Sequence, residues 1–255
     1  MQSLDIVHES SPGMRLAQAG VGIALAAAAA AVLSGLGHRW GWWDYQTGFL
    51  ILRCAVWSGV AAAALSLFAI IVAVRGGVRR GVVYGVHGLI IGALVFGVPS
   101  YKVSQGRTLP AIHDITTETG DPPRFVAVLP LRKDAPNTAE YGGAKLAALQ
   151  QQGYPDLAPA VLDLPSRAAF DLALNVARAS GWEIVAAAPE DNRIEATATT
   201  LMFGFKDDVV IRITPAGSGS RIDVRSVSRV GRSDLGANAA RIREFLQQLS
   251  SQQSR

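Results

Sequence analysis

The sequence predicts an α-helical membrane region of three transmembrane helices, followed by a water-soluble, two-layer α+β domain with an antiparallel sheet of four or five strands. Two observations carry this expectation. The first hundred residues hold three long uncharged apolar runs, and residues 182–230 alternate strand patterns with short turns between two amphipathic helical stretches.

Of the 255 residues, 49% are hydrophobic and 17% charged, but the charge is unevenly spread. Residues 1–99 hold six basic groups (Arg15, Arg39, Arg53, Arg75, Arg79, Arg80) and three acids (Asp5, Glu9, Asp44), for a net +3. The remainder of the +4 total leaves the C-terminal part near neutrality, which argues against a nucleic-acid partner, since that function needs a basic domain. The single cysteine, Cys54, lies in an apolar run, so no intrachain disulfide or cysteine metal site can form.

Leu16–Gly37, Cys54–Val74 and Gly81–Tyr101 carry no charge over 22, 21 and 21 residues. At about 1.5 Å per residue each covers the roughly 30 Å of a bilayer's hydrocarbon. Only a helix satisfies its own peptide groups there, so spans are placed at about 16–37, 52–74 and 81–99. The first run contains Ala-x-Ala patterns between Ala24 and Ala31, which leaves signal-peptide cleavage as an alternative, although the run is longer than a usual signal core.

The loop Arg75-Gly-Gly-Val-Arg-Arg80 packs three arginines, whereas the first loop offers Arg39 with Trp40, Trp42, Trp43 and Tyr45, suited to an interfacial belt. That asymmetry predicts a multi-pass membrane protein with its N-terminus inside and its C-terminal domain outside. Besides the lipid bilayer, a protein partner or a second copy is expected through Gly81, Gly85, Gly88 and Gly92, which share one helix face; close packing inside the three-helix bundle is the competing use of that face. His87, between these glycines, is expected to hydrogen-bond a neighbouring helix.

Residues 100–123, rich in proline and glycine, read as an irregular linker, and Phe125–Leu129 as the first strand of a domain spanning 124–250. Little pattern follows until a short helix at Ala144–Gln151 and a clear one opened by Pro165-Ser166, with Gly181 as its left-handed cap and Trp182 as the accompanying apolar contact. Strands are expected at 182–188, 193–203, 208–214 and 221–230, and a last helix from Asp234 with Ser233 or Asp234 as N-cap.

Two runs of this domain, Asp207-Asp-Val-Val-Ile-Arg-Ile-Thr214 and Gly219–Phe245 with its core Ser-Arg-Ile-Asp-Val-Arg-Ser-Val-Ser-Arg-Val-Gly-Arg-Ser-Asp-Leu-Gly, resemble the end of domain-of-unknown-function family 1499. His113-Asp-Ile-Thr-Thr-Glu-Thr-Gly-Asp-Pro-Pro-Arg-Phe125 is similar to that family's opening motif. The resemblance covers about residues 110–250. It implies a bacterial envelope domain carried on hydrophobic helices, and implies no reaction, cofactor or catalytic residue.

Chemistry has two candidate locations. In the last strand Arg221, Asp223, Arg225, Val227 and Arg229 share a face while Ser226 and Ser228 lie on the other. With Arg212 and with Arg232 beside the start of the last helix, Arg225, Arg229, Ser226 and Ser228 form the expected ligand site, since guanidinium forks grip phosphate or carboxylate. The competing use is pairing with Asp207, Asp208, Asp223 and the acidic first half of the domain. The second location is His113, Asp114 and Asp121, whose spacing matches no metal motif. No phosphate loop, dinucleotide fingerprint or Gly-x-Ser-x-Gly elbow occurs, so no cofactor, metal or catalytic residue is expected. The function read from the residues is a non-enzymatic, membrane-anchored envelope module that binds an anionic small molecule, lipid headgroup or protein partner. The alternatives are a hydrolase or metal-dependent enzyme built on His113 and nearby carboxylates, and a structural subunit of a membrane complex.

Overall fold

A computed structural model describes residues 11–253, which divide into a helical unit up to residue 104 with residues 201–204, and an α+β unit of residues 105–200 and 205–253. The helical unit contains α1 (Pro12–Arg39), α2 (Tyr45–Arg75) and α3 (Arg79–Arg107), three helices long and apolar enough to cross a membrane. Each start and stop has a local cause. Ser11 accepts from the Met14 N–H ahead of α1, and Asp44 from the Thr47 N–H ahead of α2. Gly77, at φ 68°, turns the chain toward α3. Contrary to the expected linker, α3 continues through Pro99 to Arg107.

The packing of these helices is the reverse of a soluble core. Small residues are buried: Gly13, Ala17, Gly20, Ala24 and Ala27 on α1, and Ala55, Gly59, Ala62, Ser66, Ala69 and Ala73 on α2. Large apolar side chains point outward, with Trp57 64% and Leu94 58% exposed. Lipid offers as much dispersion contact as leucine, so association is driven by close backbone approach rather than by hiding large residues. The four glycines of α3, whose spacing suits packing within the bundle or against another copy, are used within the bundle. A Cβ on Gly88 would stand 2.3 Å from Ser66 Oγ and 3.0 Å from Val21 N, and one on Gly92 would stand 2.5 Å from Gly59 O. His87 points outward and bonds the carbonyl of Val83 on its own helix at 2.8 Å, not a neighbouring helix as expected.

The second unit comprises β1 (Asp114–Thr116), α4 (Gly143–Gly153), β2 (Ala160–Leu162), α5 (Ser166–Ala179), β3 (Glu183–Ala188), β4 (Arg193–Thr199), β5 (Lys206–Ala216), β6 (Gly219–Ser228) and α6 (Ala237–Gln253). The strands make one six-stranded antiparallel sheet in the order β1-β6-β5-β4-β3, with β2 sharing the β6 edge beside β1. The expected meander of four strands is its centre. The additional edge strand β1 lies inside the stretch expected to be linker. It is too short to show a period, and the buried side chain of Gln150 holds it from α4, accepting from Thr116 N at 2.9 Å and donating to Thr116 O at 2.6 Å.

Helices α5 and α6 cover one sheet face, where Phe170, Val176, Ile242, Phe245 and Leu249 meet Ile194, Ile211, Ile213, Ile222 and Val224. Gly181 takes φ 74° after α5 and Trp182 N–H donates to Ala177 O at 3.2 Å, as the capping pattern predicts, while the Trp182 ring stacks on Phe245 of α6 at 5.2 Å. The strand expected at Phe125–Leu129 does not form. Its backbone donors are taken by Glu195, whose carboxylate accepts from Val126, Ala127 and Val128 N–H at 2.9–3.1 Å, and the chain continues into a 3-10 turn at Leu129–Arg132.

The close approach at Gly92 makes a direct test of the bundle. Gly92→Val should lower the stability of the detergent-solubilised helical unit by about 1–3 kcal/mol, because the blocking atoms are backbone. Gly97→Val, with open space around its Cβ, should leave the thermal midpoint unchanged. Equal midpoints for the two variants would disprove this packing.

Candidate functional site

The sheet face opposite the helices is charged and yet covered. Pairing register puts Arg193, Glu195 and Thr197 of β4, Asp208, Val210 and Arg212 of β5, and Asp223, Arg225 and Val227 of β6 on this side. The segment 117–141 lies over it. Arg225 is 2% exposed and makes four hydrogen bonds: Nε and Nη2 to the two carboxylate oxygens of Asp114 at 2.9 and 2.8 Å, Nη1 to Pro123 O at 3.2 Å, and Nη2 to Ala139 O at 2.8 Å. The rings of Phe125 and Tyr141 lie 5.2 and 5.4 Å from its guanidinium carbon.

A second centre forms around Asp208, which is fully buried. It accepts from Arg132 Nη1 at 2.6 Å, Thr197 Oγ1 at 2.7 Å, and Arg229 Nη2 and Nε at 2.8 and 2.9 Å. Burial pushes the Asp208 carboxyl up, but the bonds from Arg229, Thr197 and Arg132 outweigh it and hold the group below its ordinary value of 3.8. A third set joins Arg212 to Asp223 and Asp121, and Arg221 to Asp223 and Glu118.

The residues expected to form one ligand site therefore fall in three places. Arg225, Arg229 and Arg212 are each held by carboxylates on the covered face. Ser226 and Ser228 belong to the helix side, in a network where Ser226 Oγ donates to Asn238 Oδ1 at 2.6 Å and Asn238 Nδ2 donates to Ser228 Oγ at 2.9 Å. Arg241 closes that network onto Asp207 at 2.6 Å. The last helix begins at Ala237 and not at Asp234 as expected, but Asp234 still serves its start from the preceding turn, accepting from Gly236 N at 2.9 Å and Asn238 N at 2.8 Å, and burial raises its carboxyl above the ordinary value. Arg232 is exposed and its side chain meets none of these groups. The second candidate set is dispersed as well: Asp114 holds Arg225, Asp121 holds Arg212, and His113 Nδ1 lies 3.4 Å from Arg232 O. Among the described residues no three His, Cys, Asp or Glu groups are arranged to hold a metal ion.

Between the covering segment and the sheet lies a cavity of about 710 Å³. Arg225, Arg132, Arg124, Phe125, Leu129 and Tyr141 are in its wall. Its volume is that of a small-molecule pocket, and its lining combines apolar and cationic side chains with the carboxylates of Asp121 and Glu140. Tyr141 stays protonated, because burial, followed by the negative charge of Asp114, pushes its hydroxyl up to about 12. Sequence reasoning identified Arg225 but missed Glu195, Arg132, Asp208 as a hub, and Tyr141. Glu195 and Asp208 carried a signal, since each is a charged position within a strand on the same alternating face as the arginines. Arg132 and Tyr141 sit in an aperiodic segment and carried none.

Three helices able to cross a membrane and an antiparallel α+β domain with an internally paired arginine face define an α+β protein of membrane-anchored type. The chain belongs to the family described as Protein of unknown function (DUF1499), whose model matches residues 114–249. No curated protein matches it.

Asp208 gives the site's stability test. Asp208→Asn should cost about 3–5 kcal/mol at pH 7, because Arg132 and Arg229 lose their buried counter-charge. A lowered folded-state pKa stabilises above the unfolded value and loses that contribution as pH falls through the folded value, so the gap between variant and parent should narrow below about pH 3.8. Denaturant midpoints across pH 2.5–7 check this; a pH-independent gap would contradict the role assigned to the carboxylate.

Proposed function

We propose that this chain is a non-enzymatic, membrane-anchored envelope module whose α+β domain holds an anionic ligand in the cavity beneath segment 117–141. The observation that carries the proposal is a small-molecule-sized cavity with Arg124, Arg132 and Arg225 in its wall. The guanidinium groups of Arg132 and Arg225 are fixed in place by carboxylates, so a ligand would meet an already ordered wall, which lowers the entropic cost of binding.

The test is native mass spectrometry of the full chain, extracted from its own membrane into lipid nanodiscs. The expected result is a small-molecule adduct that dissociates on collisional activation and is absent after denaturation and refolding. A bare-mass protein in every preparation overturns the proposal.

The arginine-dense loop 75–80 supports placing the α+β domain on the outer side of the membrane, which is the periplasmic side in the bacterial inner membrane that the family resemblance implies. In a Cys54→Ala background, a membrane-impermeant maleimide should label Asp171→Cys, and not Arg79→Cys, in intact spheroplasts. The opposite pattern would reverse the orientation.

A further inference from the structure

Within the cavity wall, three hydrogen-bond donors have no acceptor. Arg132 uses both terminal nitrogens on Asp208 and on backbone carbonyls, but its Nε, in a side chain only 3% exposed, has no partner. Tyr141 Oη is buried without a partner, although its ring is held against Arg225. Arg124 is exposed and makes no hydrogen bond or ion pair among the described residues. Native proteins pair nearly all buried polar atoms, because an unmade bond costs about 1–3 kcal/mol. Two orphan donors and a free cation in one wall constitute a demand for acceptor atoms. The same wall carries the apolar side chains of Phe125 and Leu129.

Resting on the binding-module reading above, we infer that the cavity takes an amphiphile: an oxyanion headgroup, carboxylate or phosphate, on an apolar body. Arg124 supplies the accessible charge, Tyr141 Oη and Arg132 Nε supply directed donors, and Phe125 with Leu129 receives the apolar part. A bare inorganic anion would leave the apolar wall unused, and a neutral apolar molecule would leave all three donors unpaired. Arg225 and Asp114 act as positioning residues, because their pairing orders the segment that bears Tyr141.

The experiment uses the full chain in zwitterionic-lipid nanodiscs and 4-phenylbutyrate as the probe, with inorganic phosphate and 4-phenylbutanamide as comparisons, read by isothermal titration. The acid should bind, and phosphate and the amide should each bind at least about tenfold more weakly. Tyr141→Phe keeps the ring over Arg225 and removes only the unpartnered hydroxyl. It should weaken the acid by about three- to tenfold while the thermal midpoint stays level or rises. Arg124→Ala, at an exposed position, should weaken it by about tenfold with an unchanged midpoint. Adding phosphatidylglycerol to the nanodiscs distinguishes the source: competition identifies a lipid as the natural oxyanion, and its absence identifies a free amphiphile. Equal affinity for acid and amide, or parental affinity in both variants, overturns the inference. Should that happen while native mass spectrometry still finds an adduct, the module reading stands and the ligand chemistry assigned here falls.

Discussion

Arg225 places a guanidinium where water cannot reach it, and the surrounding fold answers that demand. A buried cation requires a counter-charge and acceptors for its N–H groups. Asp114 supplies the charge from strand β1, while Pro123 and Ala139 supply carbonyls from opposite ends of the covering segment. The segment contains little regular structure, so its own backbone bonds cannot shape it. It is ordered by ending on this one side chain, with Glu195 fixing residues 126–128 in the same way from β4. The cavity follows from this arrangement: a chain tied down at a few charged points arches between them.

The two faces of the sheet therefore obey different rules. Toward α5 and α6 the interior is mainly aliphatic and aromatic, with one polar network of Ser226, Ser228, Asn238, Arg241 and Asp207, and most of its stability comes from area removed from water. Toward segment 117–141 a small apolar cluster of Phe125, Val128, Val210 and Val227 is joined by carboxylate–guanidinium bonds that specify geometry more than they add free energy. A ligand pocket suits the second face, because polar groups fixed by their neighbours are available at little further ordering cost.

The helical unit answers to a third solvent. Its small residues face inward and its large apolar ones outward, an arrangement that water would penalise and hydrocarbon does not. The glycines of α3 show why spacing alone left two uses open. A small-residue stripe permits close approach by any helix, and whether the approaching helix belongs to the same chain depends on how the helices meet.

What the sequence determined by itself was whatever depends on local period and solvent preference: three uncharged runs of spanning length, the central strands of the meander with their alternating faces, and the glycine cap after α5. These properties are repeated over many neighbouring residues, so the pattern survives without knowledge of the partners. Tertiary structure alone decided the rest. The β1 and β2 strands are three residues each and exist because β6 offers an edge. The expected strand at 125–129 has strand-like composition, but its N–H groups found a carboxylate seventy residues away in sequence before they found a ladder. Likewise Arg221, Arg225 and Arg229 could be recognised as one face, but not as satisfied or free, because their counter-charges include Glu118, Asp114 and Asp208, and the distance between such residues is set by the chain's path and not by its order.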